Sequence, residues 1–305
     1  MRTTLDPTLD IVFKMLFARP ENEGALIDLL TAVLRPRVPI VSAKVQNPEV
    51  RREQVNDRGI VLDVLVSFDD GTQVDLEMQA TRRPAFPNRA LYYWARLYAS
   101  QLERGQPYTA LRPVISVLFL DYVELPTPRF HSEFRVLEVS EHFAFSDALT
   151  LHVIELPKCR AAKAAGRPRE APQGDGTLLA WTRFLGAKSD EEVEEACMSN
   201  PVIAKTNELL ERLSATPSAQ ELARQRQLAL DTYRIEMGAA KEEGREEGRE
   251  VGREEGRARE LRAGILVLAE VLGVEVDEIR LAQLDRSSVE ELTTLRDRLR
   301  TERHW

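Results

Sequence analysis

The residues best equipped for chemistry lie in the first third of the chain: Asp63, then Glu77 and Gln79. Two carboxylates held against each other repel, so such a pair persists only where a cation intervenes or one acid takes up a proton. Hard oxygen donors of this kind suit a divalent ion such as Mg2+, which keeps several waters and meets substrate phosphate. The chemistry to expect is metal-assisted hydrolysis of a phosphodiester. Gln79, two residues beyond Glu77, would orient the attacking water.

The elements that bring these residues together are legible as alternation. In GIVLDVLVSF (59–68) one face carries Ile60, Leu62, Val64, Val66 and Phe68, and the other carries Asp63 among Val61, Leu65 and Ser67. In TQVDLEMQ (72–79) Val74, Leu76 and Met78 oppose Gln73, Asp75, Glu77 and Gln79. Both strands therefore read as half-buried. A three-residue loop, Asp69–Asp70–Gly71, puts glycine at the left-handed position such loops favour and predicts a β-hairpin over 59–79. In that register Leu62 meets Met78, Val64 meets Leu76 and Val66 meets Val74, while Val61 faces Gln79 and Asp63 faces Glu77, at roughly 4.5–5.5 Å between Cβ atoms. A shift of one residue would pair apolar with polar positions throughout.

Around the hairpin the order reads α, β, β, β, α, β. Helical spacing runs from Thr8 to Leu34, divided at Pro20; a strand follows near 40–46, then the hairpin, a helix over about 88–103 and an apolar strand over 114–120. Further strands are expected at 133–139 and 149–156, and AAKAAGRPREAPQGDGT (161–177) has linker composition. The expected organisation is thus a catalytic α/β domain over 1–160, a linker over 161–177 and a helical region over 178–240. Next come a Gly/Glu/Arg repeat helix over 241–257 and a small helical appendage over 258–305, with Ser287 as N-cap of its last helix. In the repeat, Gly244, Gly248, Gly252 and Gly256 recur every fourth residue. They would cost an isolated helix roughly 3–4 kcal/mol, against about 0.2–0.5 kcal/mol for each Glu–Arg pair. Two readings stay open: a smooth stripe for self-association, giving a dimer through the C-terminal helices, or a solvated charged linker.

Composition narrows the class. The 305-residue chain is 43% hydrophobic and 30% charged, with a net charge of −8, as in a globular protein with charged surfaces. That balance argues against coating nucleic acid by bulk charge, although Arg51, Arg52, Arg58, Arg82, Arg83 and Arg89 flank the acidic hairpin. No apolar run is long enough to span a bilayer, and a cytoplasmic location is the default expectation. Cys159 and Cys197 lack metal-ligand spacing and read as free thiols. The four histidines, including the HxE of His131 and Glu133, read as structural or surface groups, since no PCxxC segment accompanies them. GxxxxGK and GxSxG are absent.

Asp63 followed by Glu77, Met78 and Gln79 resembles the PD-(D/E)XK nuclease signature, with glutamine in place of lysine. The segments LDPTLDIVFKMLF, LDV around Asp63, LEMQ, RALYYWARLYASQLERGQPY and PVISVLF, in that order, resemble the Rpn family of recombination-promoting nucleases or transposases over about residues 5–158. The resemblance implies a mixed β-sheet flanked by helices of the PD-(D/E)XK type, followed by an all-α C-terminal region. It implies a divalent-metal-dependent DNA endonuclease using Mg2+, with Mn2+ and Ca2+ as alternatives, in recombination or transposition. The metal ligands would be Asp63, Glu77 and the backbone carbonyl of Met78. Lys14, in the DIVFK segment, would supply the charge that glutamine lacks, and Asp10, one helical turn earlier, a further carboxylate. On the helix after the hairpin, which carries Arg89, Tyr92, Tyr93 and Arg96, Arg89 and Tyr93 are placed to meet the site or DNA phosphate, with helix packing by the tyrosines as the alternative. The alternative function is a catalytically silent nuclease fold that binds DNA or assembles.

Overall fold

The computed structural model describes residues 3–46, 49–50, 60–61, 63–164 and 176–305. It divides into two compact units, Met1–Asp231 and Thr232–Trp305. The first opens with α1 (Asp10–Phe17) and α2 (Glu23–Leu34), separated by a 3-10 turn that begins at Pro20. Proline there fits a first helical position and blocks continuation of α1.

Strands β1 (Lys44–Gln46), β2 (Glu49–Val50), β3 (Ile60–Val61), β4 (Val64–Ser67) and β5 (Gln73–Gln79) follow, then α3 (Phe86–Ala99), β6 (Val114–Leu120), β7 (His131–Leu137) and β8 (Ala144–Glu155). Six of them form one mixed sheet in the order β1-β4-β5-β6-β8-β7. β5, β6 and β8 run parallel, whereas β1–β4, β4–β5 and β7–β8 are antiparallel. A parallel neighbour requires a crossover, and α3 supplies it between β5 and β6. VISVLFL in β6 is apolar on both faces because both are covered.

One face of the sheet presents Val74, Leu76, Met78, Val117, Phe119 and Ile154 to a core that includes Phe13, Phe17, Leu26 and Leu30 of α1 and α2. Helices α4 (Leu156–Ala164), α5 (Gly176–Gly186), α6 (Asp190–Ser199) and α7 (Pro201–Ser214) come next. Trp181, Phe184, Ile203 and Leu210 of these helices enter the same core. Trp181 packs against Phe17 with the rings tilted at 59° and centroids 5.7 Å apart, and donates its indole N–H to Asp28 at 2.8 Å. The expected linker at 161–177 therefore does not separate two compact units: chain on both sides of it shares one core, and residues 165–175 lie outside the described residues. The opposite face is covered by α3, whose Leu97 packs on Leu65 and Val114 and whose Phe86 and Ala90 pack on Leu118, Leu120 and Val153.

The hairpin register is as expected: Val64 pairs with Leu76, Leu65 with Asp75, Val66 with Val74 and Ser67 with Gln73. Phe68 N–H reaches Thr72 O at 2.9 Å, Gly71 N–H reaches Phe68 O at 3.1 Å, and Gly71 sits at φ +85°. The expectation of one continuous strand over 59–68 is corrected. Ile60 and Val61 pair with Val50 and Glu49 in a separate two-stranded sheet, so Val61 does not face Gln79, and Leu62 lies outside the described residues. The Asp63 carboxylate is the reason, because its Oδ2 accepts the Met78 N–H at 2.9 Å, replacing a ladder bond. The half-buried reading of β5 is also corrected, since α3 buries Asp75 and Glu77 as deeply as the apolar face.

Helix α8 runs unbroken over Pro217–Leu272, followed by α9 (Glu278–Arg286) and α10 (Val289–Glu302). A Cβ added at Gly244, Gly248, Gly252 or Gly256 would meet nothing within 4 Å. The second unit has its own core of Leu261, Ile265, Leu284, Leu292, Leu295 and Leu299. Ser288, not Ser287, caps α10, in a capping box with Glu291; Ser287 terminates α9. Among the described residues no helix is long and apolar enough to cross a membrane.

Candidate active site

Asp63 sits at the bend where the β4–β5 ladder ends, and Glu77 lies on the strand beside it. Met78 joins them: its side chain enters the core, and its N–H points at Asp63. A residue in an extended strand directs its N–H and C=O to the same edge. The Met78 carbonyl therefore faces the same edge as Asp63.

Burial raises the carboxyl of Asp63 to about 6. The Met78 N–H opposes that rise, the Asp10 charge adds to it, and Lys14 and Arg226 work against it. Glu77 is pushed up to about 7, first by burial and then by Asp63, against the pull of a hydrogen bond from Gln79 and the charge of Arg89. Asp75, fully covered between the sheet and α3, lies well above the carboxylate range through burial and its neighbours Glu77 and Asp63. Among the described residues its Oδ1 has no hydrogen-bond partner, nor does Oγ of Ser116, its counterpart on β6. The site is thus a cluster of acids whose burial and shared charge favour protonation unless a cation lies among them.

Cations approach from three elements. Arg226 of α8 forks onto Asp10, donating Nε to Oδ1 at 2.6 Å and Nη2 to Oδ2. Lys14 of α1 acts on Asp63 from one turn beyond Asp10. Arg89 of α3 acts on Glu77 and keeps a buried Nη1 without a partner among the described residues. Gln79 is clamped: its Nε2 donates to Glu77 Oε2 at 3.1 Å, and its Oε1 accepts from the Tyr122 hydroxyl at 3.0 Å. Burial and Glu124 in turn push the Tyr122 hydroxyl up to about 12, keeping it a donor.

The structure therefore draws Asp63, Glu77, Gln79, Asp10, Lys14 and Arg89 into one neighbourhood. Tyr93 instead packs with Trp94 and Tyr98 against Leu65, Leu97 and Val114. Among the described residues no three acid, histidine or cysteine side chains converge as a finished metal cage. Mg2+ does not demand one, because it binds through one or two carboxylates plus waters and substrate phosphate. Two carboxylates, a carbonyl on the same edge and the unpartnered Asp75 oxygen fit a hard divalent ion.

Asp75, Tyr122 and Arg226 escaped the sequence reading. Asp75 shares the face of Glu77 by simple alternation and was accessible to it. Arg226, 216 positions from Asp10, left no local signal. The HxE histidine is structural: His131 Nε2 lies 2.9 Å from His152 Nδ1, and burial holds His152 down near 4. Both cysteines are free, as expected.

The family model described as PD-(D/E)XK nuclease family transposase matches residues 7–236, which include the whole sheet and every residue of the site. Neither a curated protein nor a solved structure matches the chain. PD-(D/E)XK nucleases generally use divalent metals and act on DNA. With three quarters of its length matched and the acids of the signature at the end of its central hairpin, the chain belongs to the PD-(D/E)XK nuclease family of transposases.

Proposed function

We propose that the protein is a divalent-metal-dependent DNA endonuclease that hydrolyses phosphodiester bonds at Asp63 and Glu77, in the service of recombination or transposition. The observation that carries the reading is the pair itself: half-buried Asp63 at the bend where β4 ends and buried Glu77 on β5, with the Met78 N–H on Asp63 and the Asp63 charge raising the proton affinity of Glu77. In this reading Asp63, Glu77 and the Met78 carbonyl hold Mg2+. When bound, that ion would neutralise charge on the scissile phosphate and make a water more acidic.

The chain's own residues divide the remaining work. Gln79, tied to Tyr122, fixes the Glu77 carboxylate and leaves its second amide hydrogen for a water or phosphate oxygen. Lys14 brings the positive charge that glutamine lacks at the motif's lysine position. Arg226 neutralises Asp10, so that α1 offers net positive charge to the site. Arg89 presents a guanidinium corner to Glu77 and to an incoming phosphate.

The test is nicking of supercoiled plasmid with Mg2+, Mn2+ or Ca2+, comparing wild type with Asp63→Ala and Glu77→Ala. Removal of either acid is expected to lower the rate by about 100-fold or more. Cleavage at the wild-type rate in both variants sinks the assignment. DNA binding without cleavage by the wild-type protein in all three metals would favour a catalytically silent fold instead.

A further inference from the structure

We infer that β7 is a self-complementary edge through which two copies of the chain join their sheets into one. Natural edge strands are blunted by shortness, charge or bulges. The opposite edge of this sheet obeys that rule, for β1 has three residues and begins with a lysine. β7 does not. It is seven residues long, is the last strand of the sheet among the described residues and carries Phe134, Val136 and Leu137 exposed. The irregularities of the β7–β8 ladder fall on the inner strand, where Arg135 and Val136, adjacent in β7, pair with Thr150 and Ser146 of β8. Over His131–Arg135, the stretch centred near Phe134, the register with β8 is unbroken.

Apolar side chains are exposed at the hairpin tip as well, Val139 at 86%, Phe143 at 56% and Phe145 at 80%, and exposed apolar groups gathered near one sheet edge mark an interaction surface.

The occupant follows from the pattern of residues. Phe134 is the midpoint of His131–Leu137. Two copies paired antiparallel about a two-fold axis at that midpoint place Phe134 beside the partner's Phe134, and Glu133 opposite the partner's Arg135 on both sides of the axis. Within one chain Glu133 and Arg135 already share a face and touch, with Arg135 Nε 2.6 Å from Glu133 Oε1. Pairing about the midpoint turns the two pairs into a closed ring of alternating charge. A register centred one residue earlier would set Glu133 against itself.

The test is sedimentation velocity of the full-length protein with two charge reversals. Wild type is expected to dimerise. Glu133→Arg and Arg135→Glu alone each set like charges opposite one another, and each should dissociate at least about tenfold more readily. Mixed one to one, the two variants restore opposite charges at both positions, and association should return as a heterodimer. Phe134→Cys should form an intermolecular disulfide on mild oxidation, because facing Cα atoms at roughly 4.5–5.5 Å lie within disulfide reach. Val139→Cys and wild type should not. A monomeric wild type overturns the inference. So do single variants that associate as wild type does, which places the contact elsewhere, the glycine stripe of α8 included. Failure of the mixture to recover also refutes the proposed register.

Discussion

Replacing Glu77 by glutamine should make the metal-free protein more stable at alkaline pH and leave it unchanged in acid. Glu77 is buried, and burial together with the Asp63 charge moves its carboxyl from 4.5 up to about 7. The folded state thus holds this proton more tightly than the unfolded chain does. Below 4.5 both states are protonated and the group's stabilising share is fully present. As pH rises from 4.5 to about 7 the unfolded chain releases the proton first, and stability falls. Above about 7 the loss is complete and constant. At about 1.4 kcal/mol per pH unit across that window, ionised Glu77 costs the fold about 3 kcal/mol. In a unit of this size 1 kcal/mol moves Tm by about 2–4 °C. Melting in EDTA, followed by circular dichroism, should therefore place Glu77→Gln about 6–12 °C above wild type at pH 8 and level with it at pH 4. Mg2+ added at pH 8 should raise the wild-type Tm and not that of the variant. A Tm difference that stays the same across the pH series would refute the reasoning, because only a titrating carboxyl makes it grow.

Three other perturbations follow from the structure. Arg226→Ala strips Asp10 of its fork and leaves that charge acting on Asp63; urea unfolding at pH 7 should show a loss of about 1 kcal/mol, discounted for partial exposure. The decline of stability with rising pH in this variant should extend above the wild-type window, since Arg226 normally lowers the Asp63 carboxyl. Gly71→Ala forces a side chain onto φ +85° with its Cβ 3.0 Å from Arg112 Cγ, and equilibrium unfolding should register at least about 1 kcal/mol of destabilisation. Ser288→Ala removes half of the capping box on α10, and hydrogen exchange in that helix should accelerate by a factor corresponding to about 1 kcal/mol.

Much of the site was legible because alternation has a period of two and a hairpin loop fixes register. Val64 opposite Leu76 and Gly71 in a left-handed turn followed from side-chain type alone. Two things were hidden. The break at Asp63 depends on a side chain taking the place of a backbone acceptor for Met78, and nothing local distinguishes such an aspartate from one on an ordinary strand. The shared core of α5–α7 was masked by the composition of 161–177, because a polar linker signals flexibility of the connection and says nothing about where the next helices dock. Trp181 against Phe17 is a contact across 164 positions of chain, and only the folded protein displays it.

The burial of the acids is a consequence of topology more than of their own sequence. Gln73, Asp75, Glu77 and Gln79 would make a solvated face on a simple antiparallel hairpin. β5, however, has a second neighbour, β6, and it is parallel. A parallel pair obliges the chain to cross over one face of the sheet, and α3 makes that crossing on the side where the acids stand. Covering them raises their proton affinity, and the same desolvation strengthens their attraction for any cation that reaches them. At Asp63 the ladder has ended and burial is less complete than at Asp75, so in the proposed reading the bend is where a cation and a phosphate would approach. The helix that closes the sheet therefore creates the charge imbalance, and the aspartate that ends the strand gives access to it.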